Sequence, residues 1–330
     1  MAQFTIYKST DASAPALSGT VGTLLAVLDA CLVNGYGAKA AAGWSKPIAN
    51  SGNIGCYQQG AAAVGDFVVV INDNGPGAGA AKEARATGWK TVSAITGIGV
   101  GTGQFPLPAQ LLTVGCVAIL KSTTADATSR NWMVVADART FYLFIGHAGT
   151  TAKSDFGFGE FYSLWGTSDV NNCFISGRLV ENSAVQSVAN GGLDKMVTPA
   201  VTSNYLGCFL ADSFAGFSGS IVCYPCGDPS RLSTLMTASA GQPATGSGPT
   251  PNTSDASYLM APLNLTEGSW ALRGRYRGLY QICHPLAALT DGATLDATGD
   301  LNGKSFVFSI PGGTNLGCLA IETSDTLDTN

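Results

Sequence analysis

The segment Trp132-Met-Val-Val-Ala-Asp-Ala-Arg-Thr-Phe-Tyr-Leu-Phe-Ile145 carries the clearest signature of the fold. Two runs rich in β-branched and aromatic residues, Trp132–Ala136 and Phe141–Ile145, flank the connection Asp137–Thr140. Runs of this composition favour strands, and a short connection that contains Asp is typical of a turn. The segment therefore predicts an antiparallel hairpin.

Strand signals recur on both sides of this hairpin. Phe4–Lys8 alternates between apolar and polar residues, and Phe67–Ile71 is a β-branched run that ends at turn residues. Ser305–Ile310 and Leu316–Ile321 flank a connection rich in turn residues and predict a second hairpin. Between residues 154 and 225, aromatic residues and glycines alternate without a helical period, which predicts short strands and wide loops.

One segment near the N-terminus has a helical period instead. Its apolar residues recur three or four positions apart: Val21, Leu24, Leu25, Leu28, Cys31 and Leu32. Ser18 is suited to cap the start of this helix, and Gly35 lies where the helix would end. We predict a helix over residues 19–34 whose apolar stripe, including Cys31, faces the core. The predicted fold class is mainly β with one principal N-terminal helix, an α+β chain with antiparallel, sandwich-like sheets and long loops.

The segment 237–257 bears on domain organisation because it is polar, rich in Pro, Gly and Ser, and poor in large apolar residues. We predict a single β-rich domain over residues 1–330 with an exposed loop at 237–257. The alternative is a main domain at 1–236 followed by a small C-terminal β subdomain at 258–330. The second unit would be small for an independent core, which favours the single domain.

The composition indicates a surface that is poor in charge. Charged residues make up 12% of the chain, about half the usual share of a soluble domain, and glycine accounts for 42 of 330 residues. Weakly charged surfaces are common where a protein packs against neighbours, although a monomer with biased Ala and Gly usage is the alternative. The net charge of −5 argues against a nucleic-acid partner, since neutralising phosphates requires clustered Lys and Arg.

Membrane and secretion signals are also missing from the sequence. The most apolar run, Leu111–Leu120, is far shorter than the roughly 20 residues that a bilayer requires. The first residues lack a charged segment followed by an apolar one, so we expect synthesis in a cytoplasm and no membrane partner.

The chain contains an odd number of cysteines, nine, at positions 31, 56, 116, 173, 208, 223, 226, 283 and 318. Only Cys223-Tyr-Pro-Cys226 places two close together. A redox site would need a helix after it, and Gly227-Asp-Pro229 prevents one; a zinc site would need a second pair of ligands, whereas His147 and His284 are single and distant. Two interpretations of the cysteines are compatible with the sequence: buried thiols that pack in the core, and a structural disulfide that involves Cys223 and Cys226. Because nine thiols cannot all pair within one chain, we also predict a bond to another chain in the mature assembly.

Two glycine-rich segments resemble parts of nucleotide-binding motifs but lack the other residues that those motifs require. Gly75-Pro-Gly-Ala-Gly-Ala80 follows a strand, yet the candidate helix Ala81–Thr87 is interrupted by Gly88, and no carboxylate follows at the expected distance. Gly97-Ile-Gly-Val-Gly-Thr-Gly103 lacks the Lys-Ser/Thr ending of a phosphate-binding loop. We interpret the first segment as a surface turn.

No other constellation of catalytic groups is visible. Ser218 lacks the glycine spacing of a nucleophile elbow, and His284 is typical of a turn or packing residue. Asp155, Glu160 and Asp169 fall in predicted loops without a partner that the sequence identifies. We therefore predict no catalytic, cofactor-binding or metal site, and a protein that is not an enzyme.

The most informative polar pattern is Trp270-Ala-Leu-Arg-Gly-Arg-Tyr-Arg-Gly-Leu-Tyr280. In a strand, its aromatic residues would share one face and Arg273, Arg275 and Arg277 the other. We predict an aromatic face directed inward and an outward row of guanidinium groups. The row is either a solvated face or pairs with carboxylates, within the chain or in another subunit, so the three arginines form a candidate interface.

Several stretches resemble a family of tailed-bacteriophage virion structural proteins. They are Tyr7-Lys-Ser-Thr-Asp-Ala-Ser-Ala-Pro15, Leu28-Asp-Ala-Cys-Leu-Val-Asn-Gly-Tyr-Gly37, Val135-Ala-Asp-Ala-Arg-Thr-Phe-Tyr-Leu-Phe144, Arg273-Gly-Arg-Tyr-Arg-Gly-Leu-Tyr280 with His284-Pro285, and Glu322-Thr-Ser-Asp-Thr326. The resemblance implies a component of the phage particle, at the neck, collar or tail rather than in the capsid lattice. It also implies assembly with copies of itself and with neighbouring virion proteins.

Two alternatives are a carbohydrate- or host-surface-binding β module, such as an adhesin-like appendage, and a capsid decoration protein. Exposed aromatic residues around Trp165 and Phe214–Phe217 would favour the binding module. An interface without a concave aromatic pocket would favour the virion structural protein.

Overall fold

The computed structural model describes residues 4–61, 63–75, 82–107, 115–146, 153–178, 180–181, 184–185, 208–212, 260–266, 272–282, 290–309 and 318–324. Strands dominate this part of the chain, and its one α-helix, α1 (Thr23–Leu28), continues as a π-helical segment over Asp29–Asn34. The strands are β1 (Thr5–Lys8), β2 (Ile54–Gln58), β3 (Val68–Asn72), β4 (Glu83–Trp89), β5 (Thr91–Ala94), β6 (Val100–Thr102), β7 (Val117–Leu120), β8 (Trp132–Ala136), β9 (Thr140–Gly146), β10 (Lys153–Ser163), β11 (Cys173–Ser176), β12 (Val180–Glu181), β13 (Ala184–Val185), β14 (Cys208–Leu210), β15 (Met260–Thr266), β16 (Leu272–Ile282), β17 (Thr294–Asp296), β18 (Ser305–Ser309) and β19 (Cys318–Glu322). The prediction of a mainly β, antiparallel fold with one principal N-terminal helix is confirmed.

The described strands form one eleven-stranded sheet, one four-stranded sheet and two small ribbons, β5–β6 and β12–β13. The four-stranded sheet has the order β2-β3-β4-β7 and is called the N-terminal sheet. The eleven-stranded sheet has two parts that share β10. The hairpin sheet contains β1, β8, β9, β10, β11 and β14, and the C-terminal sheet contains the end of β10 with β15 to β19.

The predicted hairpin, β8 with β9, lies at the centre of the core because both of its faces are apolar. Trp132 pairs with Ile145 and Ala136 with Phe141, and every residue of β8 is buried. Since alternate side chains of a strand point to opposite faces, one face packs against α1 and the N-terminal sheet, and the other packs against the C-terminal sheet. The result is a three-layered arrangement.

Strand β10 connects two of these layers. Residues 153–159 pair with β9, whereas residues 161–163 pair with β16. The change of partner follows Gly159, which has φ +142°. Gly159 lies so close to the backbone of β9 and its preceding turn that a Cβ would be 2.4 Å from the Arg139 carbonyl oxygen and 2.5 Å from the Thr140 Cα. The expectation of short strands between 154 and 225 is therefore wrong for β10, an eleven-residue strand, because its glycines bend it instead of ending it.

Strand β16 bends in a similar way. Its first half pairs with β10 and its second half with β19, while its register against β15 shifts between Pro262 and Asn264. Gly278 lies in the bend with φ +60°, a conformation that favours glycine. Residues on both sides of the 237–257 segment thus share one continuous sheet. The 237–257 segment itself lies outside the described residues, and the single domain stays a prediction.

The helix differs from its prediction at the N-terminus. It begins at Thr23 after Gly22, and Ser18 does not cap it, since the Ser18 hydroxyl bonds to Thr20 instead. Asp73, at the end of β3, provides the cap, because its Oδ2 accepts the backbone N–H of Leu24 at 3.1 Å.

Three other sequence expectations can be compared with the structure. The helix-ending position of Gly35 and the burial of Cys31 are confirmed. The pairing of the second hairpin is confirmed as β18 with β19, although its connection lies outside the described residues. The candidate helix Ala81–Thr87 is wrong, since β4 begins at Glu83 and pairs with both β3 and β7. The preceding glycine-rich turn, Gly75–Ala80, is described only at its first residue.

Candidate interaction surface

The three arginines of β16 do not form an outward row. Arg273 and Arg277 are buried and paired with carboxylates of the same chain, while Arg275 is half-buried. The prediction of an outward guanidinium face is therefore wrong for Arg273 and Arg277. The alternative of carboxylate pairing within the chain is confirmed for both, because β16 is covered on both faces and a buried guanidinium requires a partner.

Arg277 holds the bend of β16 against the central hairpin turn. Its Nη1 and Nη2 bind the two carboxylate oxygens of Asp137 at 2.9 and 2.7 Å, and Nη1 also donates to Thr140 Oγ1 at 3.2 Å. Asp137 Oδ1 additionally accepts the backbone N–H groups of Arg139 and Thr140. Burial alone would lower the pKa of Arg277, but the charge and hydrogen bonds of Asp137 raise it above its usual value. The pair is a structural clamp between two sheets.

Arg273 organises the end of β16 beside β10. Its Nη2 pairs with Asp169, and its Nη1 donates to Ser163 Oγ at 2.6 Å. The guanidinium lies 5.1 Å from the ring centroid of Phe161 and 4.4 Å from that of Trp165. Such stacking with a fixed cation orients an aromatic ring.

Arg275 lines a pocket among the described residues. Its guanidinium lies 5.3 Å from the Tyr162 ring centroid. Together with Tyr162, Gly278 and Glu322 it lines a shallow, open pocket. Glu322 also binds Tyr280 Oη at 3.1 Å and pairs with Lys304, so its charge is already compensated.

The carboxylates that were assigned to loops lie in ordered, buried positions. Asp155 and Glu160 belong to β10, and Asp169 pairs with Arg273. Glu160 pairs with Arg139 at 3.6 Å and accepts the backbone N–H of Val64. Burial raises the pKa of Glu160 above its usual value. The assignment of Asp155 and Glu160 to loops is therefore wrong, because both lie in β10. The sequence did not identify the partners of Glu160 and Asp169, which are distant in sequence.

An exposed apolar area surrounds the stacked tryptophan. Eight large apolar side chains are exposed among the described residues, and five of them lie here. This area, called the Trp165 surface, consists of Val64, Leu164, Trp165, Val170 and Leu272.

Backbone contacts bring these five residues together. The Leu164 N–H bonds to the carbonyl oxygen of Arg273, next to Leu272. Val170 follows the ion-paired Asp169. The carbonyl oxygen of Val170 would lie 3.1 Å from a Cβ placed on Gly65, the residue after Val64. These contacts place the end of β10, the loop after it, the start of β16 and the 61–67 connection next to one another.

Trp165 is held in a defined position although 47% of it is exposed. Its ring rests on Arg273, its backbone N–H bonds to Ser163 Oγ at 3.1 Å, and its carbonyl oxygen accepts the Ser168 hydroxyl at 3.0 Å. Gly166, with φ +69°, lets the chain turn directly after it. The side chain is thus ordered before any partner binds, which reduces the entropy lost on binding.

The sequence predicted that an exposed Trp165 would favour a binding module. It did not identify the other four residues of this surface. Leu164 and Val170 carried a local signal, since they are apolar residues in a segment rich in Gly, Ser, Asp and Asn. Phe214–Phe217, grouped with Trp165 in the sequence, lies outside the described residues, as do Ser218 and His284.

The predicted cysteine site also lies outside the described residues, at Cys223 and Cys226. None of the five cysteines whose side chains are described forms a disulfide; they are Cys31, Cys56, Cys116, Cys173 and Cys208, and all are buried. Burial raises the pKa of Cys116 to about 11, which makes its thiol unreactive near neutral pH.

Metal clusters and membrane-spanning helices are both absent from the described part of the chain. No group of three or more His, Cys, Asp or Glu residues in the described ranges is arranged to hold a metal ion. No helix in these ranges combines the length and hydrophobicity needed to cross a membrane.

The fold and this surface define a mainly β protein with an ordered apolar contact area. No model of a known protein family matches the sequence, and no curated protein is significantly similar to it.

Proposed function

We propose that this chain is a structural component of a tailed-phage particle, at the neck, collar or tail, that assembles with copies of itself and with other virion proteins. The observation that carries this proposal is the Trp165 surface, an ordered group of exposed apolar side chains around a tryptophan fixed by a buried ion pair. Contiguous exposed apolar areas of this kind mark interaction sites. The resemblance of several sequence stretches to virion structural proteins supports the same class.

The chemistry of the surface suits a protein partner. Tryptophan is enriched among the residues that dominate binding energy, especially when apolar neighbours exclude water from it. The charged residues beside Trp165 are already neutralised, because Arg273 and Asp169 pair with each other below it. A partner would therefore bury apolar area here without leaving a charge uncompensated.

A second copy of the chain is the partner that fits best. An isologous contact places the same patch of two subunits face to face, so the patch must be complementary to itself. The five side chains of the Trp165 surface carry no charge, so they do not repel a second copy. The remaining exposed apolar side chains of the described residues, Val21, Val100 and Leu295, lie apart from one another in the chain and offer no comparable target.

A carbohydrate-binding module is the second candidate, and the half-exposed Trp165 ring is the observation that favours it. Sugar recognition also requires polar groups beside the stacking ring that can bind hydroxyl groups. Ser163 and Asp169, which lie beside Trp165, are already bound to Arg273. The neighbours Leu164 and Val170 are apolar, which supports a protein contact over a sugar.

Replacing Leu164 with Asp tests the self-assembly proposal. We expect Leu164→Asp to weaken self-association by about tenfold or more, since a charge would be buried in the contact. The melting temperature should change little, because Leu164 is 63% exposed. Sedimentation velocity over a concentration series measures the association.

Leu295→Asp is the matched control, since it places the same charge on an exposed leucine outside the Trp165 surface. The proposed contact between two copies would be contradicted if both variants associated equally well. It would also be contradicted if the wild-type chain stayed monomeric at all concentrations. Loss of glycan-array binding in Trp165→Ala, without a change in association, would support the carbohydrate module instead.

Mass spectrometry of purified particles tests the virion assignment, which fails if the chain is not in them.

A further inference from the structure

A lysine and an aspartate are in contact in the interior, beside the N-terminal sheet. Asp73 directly follows β3 and Lys121 directly follows β7, the two neighbours of β4. Both side chains have no exposed surface, and Lys121 Nζ contacts Asp73 Oδ1. Nζ also lies 2.9 Å from the carbonyl oxygen of Thr20 and 3.2 Å from that of Asp73, and Asp73 Oδ2 accepts the Leu24 N–H at 3.1 Å.

Complete burial disfavours the charged forms of both groups. It raises the pKa of Asp73 and lowers the pKa of Lys121, and the attraction between the two charges does not fully offset either shift. Proton transfer from Lys121 to Asp73 would yield a neutral amine and a neutral carboxylic acid in contact. A neutral amine is a nucleophile, and a protonated carboxyl group is an electrophile with a hydroxyl that can leave.

We infer that Lys121 and Asp73 condense to an intramolecular amide bond between Nζ and the side-chain carbonyl carbon Cγ of Asp73. The geometry supports each part of the reaction. The carbonyl oxygens of Thr20 and Asp73 accept the two N–H groups of the neutral amine, which directs the nitrogen lone pair toward the carboxyl group. The Leu24 N–H polarises the carboxyl group through Oδ2.

The reaction is balanced without any further reagent. Nζ attacks Cγ, and negative charge develops on Oδ2, where the Leu24 N–H stabilises it. A proton from Nζ passes to the Oδ1 hydroxyl, the Cγ–Oδ1 bond breaks, and Oδ1 leaves as water while the Cγ–Oδ2 carbonyl forms again. Holding the two groups in contact replaces a bimolecular encounter.

The other mostly buried ion pairs of the described residues differ in ways that matter for this chemistry. The pairs Asp137–Arg277, Asp169–Arg273 and Glu83–Arg85 contain guanidinium groups, which remain protonated and are not nucleophilic. Lys304 pairs with Glu322 but is 13% exposed, and Glu322 also binds Tyr280. Lys304–Glu322 therefore provides an internal control.

The bond would join the ends of two strands that are not neighbours. It would tie β3 to β7 across β4 and fix the start of α1, because Asp73 also caps that helix. A covalent closure restricts the unfolded chain and so resists unfolding, as a disulfide does, but without depending on the redox state.

Mass spectrometry of the purified full-length wild-type chain tests this bond directly. We expect the denatured protein to be lighter than its sequence by the mass of one water molecule. A tryptic digest should contain a branched peptide that joins the segment 40–82 to the segment 91–130, uncleaved after Lys121. A wild-type chain of full mass, with ordinary linear peptides and cleavage after Lys121, would overturn the inference.

Variants exclude other sources of a mass difference. Lys121→Met should have the full mass of its sequence, and Lys304→Met should keep the linked peptide. Water loss by cyclisation at Asp291-Gly292 would leave the two segments unlinked, and fragment ions would place it there. If Lys121→Met does not fold, the peptide map of the wild-type chain still decides the question.

Discussion

At the residue scale, this protein buries several of its few charged side chains. Charged residues make up only 12% of the chain, yet Asp73, Glu83, Asp137 and Asp169 are all buried and ion-paired. Breaking a buried pair leaves one charge without compensation, and this costs far more than losing an exposed pair. These residues therefore specify how the layers fit together.

Replacing Arg277 with Met should destabilise the fold by about 3–5 kcal/mol, because Asp137 would keep a buried charge without its partner. Urea unfolding followed by tryptophan fluorescence measures the change. Arg275→Met is the matched control in the same strand, and a smaller loss is expected there because Arg275 is half-buried. Equal losses in the two variants would show that the Asp137–Arg277 pair is not a special restraint.

At the element scale, the bends of β10 and β16 determine the architecture. Each strand has eleven residues and pairs with different strands along its length. Straight strands of that length would extend one sheet instead of leading into the next layer. The bends thus place the end of β10 beside the start of β16, where Leu164 and Leu272 contribute to the Trp165 surface.

Gly159→Ala should destabilise the protein by about 2 kcal/mol or more, because the new Cβ would collide with backbone atoms at a positive φ. Gly146→Ala, at the end of β9, is the control, since its Cβ would meet nothing closer than 3.7 Å. Thermal unfolding followed by circular dichroism compares the two. A Gly159→Ala variant as stable as Gly146→Ala would indicate that the bend does not require glycine.

At the scale of the whole molecule, the layered fold buries carboxylates that would otherwise be solvated. Burial raises the pKa of Glu83 and of Glu160 relative to their values in an unfolded chain. The folded state then binds more protons than the unfolded state between the two values. The stability from these groups is complete below the unfolded pKa, about 4.3 for Glu, and is lost as the pH rises through the folded pKa.

The melting temperature should therefore rise as the pH is lowered from 7.5 toward the unfolded pKa of Glu, about 4.3. Differential scanning calorimetry across this range measures the effect. Glu160→Gln should flatten the dependence, because a neutral amide does not titrate. The hydrogen bond with Thr124 is the main cause that lowers the pKa of Asp126 to about 2. The stability that Asp126 contributes is therefore lost as the pH falls, but only at more acidic pH. A melting temperature that falls steadily from pH 7.5 to 5 would contradict this prediction.

Local pattern was enough to predict the elements with strong periodicity. The runs around Asp137, the β-branched run in β3 and the apolar stripe from Leu24 to Leu32 were assigned correctly, because period and turn residues act within a few positions. Val21, which was placed on the same stripe, is exposed and precedes the helix. The prediction was wrong for the length of β10, where glycine can mark a bend as well as an end. The candidate helix Ala81–Thr87 is replaced by strand β4, because pairing with strands on both sides overrides local helix preference.

The sequence by itself determined the class of the fold: a weakly charged, strand-rich chain with one N-terminal helix and an antiparallel hairpin over residues 132–145. Only the tertiary structure decided which face of each strand is buried and which charges meet. Arg277 and Asp137 are 140 positions apart, and no local pattern encodes their contact. The Trp165 surface likewise depends on segments that the bends of β10 and β16 bring together. The physical reason is that periodicity is set by neighbouring residues, whereas pairing and exposure are set by the packing of the entire chain.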